Sequence, residues 1–172
     1  MEGCGAYTGT HIDQPDEKGR LALPSHLRNS VPGEAKGKQL YVTWHPEAPC
    51  LIGSGAAFIG NIEAFIVDLK DNAAAEGRPF NAMAVRRKLN AGAPVPLDPS
   101  GRFIMPDTVT QIEELGDLEG EIFFLGMGAF FEIWSYPHLM SLKGEEYEVA
   151  QALAIAKKRA NEKAAAKKAA KP

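Results

Sequence analysis

The sequence predicts a mixed α+β, β-rich protein made of two similar small units joined by helices. One observation is a repeat. Residues 16–24, Asp-Glu-Lys-Gly-Arg-Leu-Ala-Leu-Pro, recur as residues 98–106, Asp-Pro-Ser-Gly-Arg-Phe-Ile-Met-Pro, and Asp16 and Asp98 set the offset at 82 residues. Asp, Gly, Arg and Pro keep their spacing, and the apolar positions after the arginine match in kind. A second observation is that the same order of short β-rich runs and breaks follows each copy. A third is that helical periodicity is confined to the stretch between the copies and to the end of the chain.

Each element has a local reason. In Asp-x-x-Gly-Arg the carboxylate can accept from backbone amides ahead of it, and glycine supplies positive φ, so Asp16, Gly19, Asp98 and Gly101 shape two tight turns. Arg20 and Arg102 open the outgoing strands, which places their guanidinium groups beside the turns and outside the core. Pro24 and Pro106 end those strands because proline cannot donate to a ladder. Ser25 and Asp107 can each start a short helical turn. β-Branched and aromatic runs follow at 39–44 and 121–125, then a break at 46–49 or 126–128, then a closing run at 50–52 or 130–134. Each unit therefore reads as strand, turn, strand, short helix, strand, turn, strand. Any well-made hairpin could contain one such turn. The same arginine placement in two copies is what points to a function.

Phe58, Ile62, Phe65, Ile66 and Leu69 recur at helical spacing, and Gly77 and Pro79 break the pattern. A second helix is expected over about 81–89, carrying Arg86, Arg87 and Lys88 near its end. That triplet suits the helix dipole as a solvated face, and it is also a candidate auxiliary contact for nucleic acid. After Pro137 a third helix is expected to about Lys158, fading into an Ala-Lys tail with nothing to bury. The units are read as residues 10–56 and 92–138, with linking helices at 57–91 and the C-terminal helix and basic tail at 139–172.

The formal charge of −3 on 172 residues hides an asymmetry. Seven basic residues against Glu162 give the segment 157–172 a net +6, which leaves −9 on residues 1–156. An acidic body argues against indiscriminate phosphate binding, so any nucleic-acid contact must be concentrated on one face. The tail could hold DNA through counterion release, or simply keep the chain soluble. Residues 1–5 carry neither a basic cluster nor an apolar run, and the apolar stretch 122–134 is short of the roughly 18 residues of a membrane span. Neither a leader nor a membrane partner is expected, and a cytoplasmic location follows. Cys4 and Cys50 could form one disulfide, but in that compartment both are expected to stay reduced.

Enzyme signatures do not appear. Gly53-Ser54-Gly55 lacks the spacing of a nucleophile elbow, and Asn61-Ile62 stands where a phosphate loop needs Lys-Ser/Thr. Phe131 ends the dinucleotide fingerprint begun by Gly126-Met127-Gly128. His11, His26, His45 and His138 are scattered without a ligand spacing, so no metal, cofactor or small-molecule substrate is expected.

The paired motifs, Phe131-Glu132-Ile133-Trp134, the His45-Pro46…Cys50-Leu51 stretch and Arg86-Arg87 together resemble the MraZ family over about residues 5–150. MraZ proteins fall in the class named for the regulators SpoVT and AbrB. The resemblance implies two swapped-hairpin units packed as one pseudo-symmetric, double-psi-like barrel. It implies ring-shaped homo-oligomers, commonly octamers, that bind double-stranded DNA at short direct repeats upstream of the division and cell-wall genes and associate with the nucleoid. By position, Arg20 and Arg102 would be the central DNA contacts, with Lys18 beside the first. Ser100 replaces that lysine in the second unit, which makes unequal contributions the expectation. An antitoxin-like, protein-binding scaffold on the same hairpin is the alternative. It is disfavoured by the duplication and by a tail without apolar anchors.

Overall fold

The computed structural model describes residues 6–33 and 38–171. The first unit contains β1 (Thr10–Asp13), β2 (Arg20–Ala22), α1 (Ser25–Arg28), β3 (Gln39–Trp44) and β4 (Leu51–Ser54). Helices α2 (Ala56–Gly60), α3 (Ile62–Ala75) and α4 (Ala82–Asn90) lead to the second unit. That unit repeats the order with β5 (Ala93–Pro96), β6 (Arg102–Ile104), α5 (Asp107–Thr110), β7 (Ile122–Gly126) and β8 (Phe131–Ser135). Helices α6 (Tyr136–Ser141) and α7 (Glu145–Ala169) follow.

The two units exchange strands. β1 pairs with β7 of the second unit, and β5 pairs with β3 of the first, both antiparallel. The registers are equivalent: Ile12 faces Phe123, and its repeat counterpart Pro94 faces Tyr41. Where β2 meets β6, Leu21 faces its own copy Phe103, and where β4 meets β8, Leu51 faces its own copy Ile133. A pseudo-twofold axis therefore passes through both pairs. The result is a six-stranded sheet, β1-β7-β8-β4-β3-β5, and a separate ribbon of β2 and β6. Among the described residues, strand pairing does not close into a continuous barrel. β5, with Pro94 and Pro96, takes a sheet edge, where proline's missing donor costs no ladder bond.

The ribbon lies over one face of the sheet. Leu21 and Phe103 point into a core shared with Leu40, Val42, Leu51, Val95, Phe124, Phe131 and Ile133. The opposite face is covered by helices: Ile52 and Phe130 pack with α2, α3 and α4, and Phe123 and Trp134 with α6 and α7. Central strands buried on both faces explain why runs such as residues 122–125 are apolar without alternation.

Two helical expectations are corrected. The periodic stretch 58–69 forms two helices, because Asn61 leaves helical geometry at φ −113°, ψ 17°. The helix expected from Pro137 to Lys158 is interrupted at Gly144 (φ 140°) and then continues to Ala169 without fading. Three forces keep it wound. Alanine and lysine are strong helix formers. Glu145, Glu146 and Glu148 at its start and Lys167 and Lys168 at its end oppose the dipole. Lys158 is fastened to Glu121 at 3.0 Å and sits 4.4 Å from the centre of the Tyr136 ring.

Leu21 and Phe103 are essentially inaccessible at the axis. Phe103→Ala is expected to cost about 3–5 kcal/mol in chemical denaturation. Ala22→Ser, one residue along on the exposed side of the ribbon, should stay within about 0.5 kcal/mol.

Candidate nucleic-acid interface

The two turns are built alike, bond for bond. In the first, the Asp16 carboxylate accepts from the amides of Lys18 and Arg20, both at 2.9 Å, and from Arg20 Nε at 2.8 Å. In the second, Asp98 accepts from the amides of Ser100 and Arg102, both at 2.9 Å, and from Arg102 Nε at 3.0 Å. Gly19 and Gly101 both adopt φ 76°, the left-handed conformation that a two-copy glycine anticipates. The aspartates do shape the loops. The sequence reading missed their second task, which is to hold each arginine by its Nε.

That hold leaves the outer edge of each guanidinium available. Among the described residues, neither Nη of Arg20 or Arg102 has a hydrogen-bond partner. The side chains are 28% and 35% exposed, so neither is locked in the core. Strand alternation puts Arg20, Ala22, Arg102 and Ile104 on the outward face of the ribbon, opposite the inward Leu21 and Phe103. Arg20 pairs directly with Ile104, and Arg102 with Ala22. The arginines are thus diagonal neighbours, related by the pseudo-twofold axis and facing the same way.

The surroundings of the turns differ. Lys18 is exposed beside Arg20, where a shallow groove of about 320 Å³ is bordered by Asp16, Glu17, Asp107 and Glu119. Beside the second turn stand Arg28 and Lys38. Arg28 Nη1 donates to the Ser100 carbonyl at 2.9 Å, and its side chain fills the space over Gly101 so closely that a Cβ there would collide with it. At the equivalent place α5 carries Thr110, and among the described residues nothing lies within 4 Å of where a Cβ on Gly19 would stand. Arg28 was legible only as a basic residue ending a four-residue helix.

The basic triplet on α4 divides. Arg86 is clamped to Glu63 of α3 by two bonds of 2.9 Å. Lys88 reaches the Pro46 carbonyl at 3.4 Å and lies 5.1 Å from the centre of the Trp44 ring. Arg87 is exposed, with no ion pair among the described residues.

Among the described residues, one cluster carries metal-ligand chemistry: His45, Cys50 and Glu132 are all buried, and their donor atoms lie within 4.8 Å of one another. His45 Nδ1 accepts from the amides of Glu47 at 3.0 Å and Ala48 at 2.9 Å, so its proton belongs on Nε2, 3.3 Å from Glu132. Trp134 Nε1 donates to the same carboxylate at 3.1 Å. Burial, helped by the Glu132 charge, pushes the Cys50 thiol well above its usual range. A divalent metal would need both Nε2 and Sγ stripped of protons, against two amides that fix the imidazole the other way. The geometry is that of a satisfied hydrogen-bonded core. Cys4 lies outside the described residues, so its relation to Cys50 does too.

Strand-exchanged units that present two turn-held arginines on one ribbon define a duplicated α+β protein with a paired cationic face. Comparison with known proteins gives the family. The sequence is 30% identical over 138 residues to the "Transcriptional regulator MraZ" of Gluconacetobacter diazotrophicus, covering 74% of this chain and 77% of that protein. It is 29% identical over 130 residues to that of Hydrogenovibrio crunogenus, covering 75% and 79%, and 32% over 120 residues to that of Burkholderia cenocepacia, covering 69% and 75%. No family model matches the sequence. The chain belongs to the MraZ family of transcriptional regulators. Among the described residues, no helix is long and apolar enough to cross a membrane.

Asp16 and Asp98 are held below the ordinary carboxylate value of 3.8, chiefly by the amides of Arg20 and Arg102. Partial desolvation opposes this, and the guanidinium groups and the amides of Lys18 and Ser100 reinforce it. A depressed carboxylate stabilises its turn above the ordinary range and ceases to do so as pH falls through the folded value. The Lys18 and Ser100 amide resonances should therefore titrate with midpoints below 3.8, and a midpoint above it would contradict the bonding described. Arg28→Ala should speed amide exchange at Ser100 and Gly101 while leaving Lys18 and Gly19 unchanged. Equal acceleration in both turns would show that Arg28 is no local brace.

Proposed function

We propose that the protein regulates transcription by laying the outward face of the β2–β6 ribbon and its two turns into the major groove of double-stranded DNA. The observation that carries this reading is the placement of Arg20 and Arg102 on one face, each pinned at Nε with its two Nη groups free. A two-stranded ribbon fits the major groove, and an arginine fork reads guanine through O6 and N7, worth roughly 1–3 kcal/mol of discrimination for each contact. Lys18 adds a phosphate-reaching cation beside the first arginine. Arg87 is the member of the α4 triplet left free for an auxiliary contact, while Arg86 and Lys88 would first have to give up Glu63 and Pro46.

One chain offers too few cations for useful affinity, and its body is acidic. A ring-shaped homo-oligomer, an octamer by family likeness, repeats the weak face. Each bound subunit then raises the effective concentration of the next. Short direct repeats upstream of the division and cell-wall genes would suit such an array, and a cytoplasmic, nucleoid-associated protein would meet them. The ribbon closing over the six-stranded sheet is compatible with a pseudo-symmetric barrel of the double-psi kind. No catalytic step belongs to this reading.

Combined Arg20→Ala and Arg102→Ala substitution should abolish retardation of the gene's own upstream DNA in gel shifts while the assembly mass stays that of the parent protein. Unchanged affinity would refute the assignment. Loss of the assembly would move these arginines from DNA contact to subunit contact.

A further inference from the structure

The outward face of the ribbon is not purely cationic. Directly across the ladder from Arg20 stands Ile104, 57% exposed and without the covering that every other large apolar side chain of β2 and β6 receives. Its repeat counterpart, facing Arg102, is Ala22. β2 and β6 are three residues long, and their inward positions, Leu21 and Phe103, already supply the ribbon's share of the core. Ile104 is therefore not needed to hold the ribbon down. Ile104 thus presents an apolar side chain on the same outward face as the two arginines.

We propose that Ile104 is a specificity-determining residue that contacts the 5-methyl group of a thymine next to the guanine read by Arg20. This rests on the DNA-binding reading above and deepens it. Among the groups on base edges in the major groove, the thymine methyl is the one that apolar side chains contact in direct readout. The distances agree. Side chains directly opposite on an antiparallel ladder have Cβ atoms about 4.5–5.5 Å apart, and successive base pairs rise by about 3.4 Å. Ile104 thus falls one to two base pairs from the base addressed by Arg20. Ala22 lacks the reach to do the same beside Arg102. The ribbon consequently reads guanine on both halves but thymine on one, which breaks the pseudo-twofold symmetry of the fold and gives the site a direction.

Replacing thymine by uracil removes that methyl and changes no hydrogen-bonding group. The test is binding of the full-length protein to its gene's own upstream DNA, synthesised with either dTTP or dUTP. The unsubstituted protein should bind the uracil DNA more weakly, by roughly fourfold for each contacted methyl. Ile104→Ala should bind thymine DNA at that lowered level and lose sensitivity to the replacement, whereas Ala22→Ile should increase the sensitivity. Equal binding of both DNAs by the unsubstituted protein, or undiminished sensitivity in Ile104→Ala, would overturn the assignment of Ile104 while leaving the arginines in place. Failure of the unsubstituted protein to bind either DNA would remove the regulatory reading itself. A changed assembly mass in Ile104→Ala would place this side chain between copies of the chain and overturn the proposal.

Discussion

The pairing of β2 with β6 is the constraint from which the rest of the molecule follows. Each strand has three residues, too short to persist alone, and a lone two-stranded ribbon is at best marginal in water. Here it survives because Leu21 and Phe103 face each other across the ladder and enter the core that the six-stranded sheet provides. The two strands come from different units, so neither arginine turn can be held in place by its own half of the chain. β1 and β5 extend the same interdependence by pairing with β7 and β3.

Against that frame the aspartates divide their work. One oxygen of Asp16 or Asp98 organises the turn's amides, and the other holds the following arginine by Nε. An arginine so held has lost much of its rotational freedom before any ligand arrives, yet it keeps the pair of donors that a fork-shaped contact uses. The carboxylates also lower the local positive charge, which limits the ribbon's general attraction for phosphate. Such a surface agrees with a chain whose charge outside its C-terminal segment is strongly negative.

Much of this was legible from the residues. The repeat fixed the number of units, and the Asp-x-x-Gly-Arg chemistry gave the turns, the positive φ of both glycines and the position of both arginines outside the core. The order of strands and short helices followed from runs and breaks. Period-two alternation from Arg102 puts Ile104 outward as well. Other features could not be read locally. The break at Asn61 shows only in the backbone of the folded chain, and the Lys158–Glu121 bond that fastens α7 joins residues distant in sequence. The fates of Arg86 and Lys88 depend on Glu63 and Pro46 arriving beside them.

The sequence by itself determined which short segments become turns and strands, because those choices rest on backbone preferences and side-chain hydrogen bonds that span a few residues. Tertiary structure alone decided that the units interleave, that both arginines share one face, and that Arg28 braces only the second turn. These outcomes depend on contacts between residues tens of positions apart, which no local pattern encodes, since burial is shared by whichever surfaces the folded chain brings together.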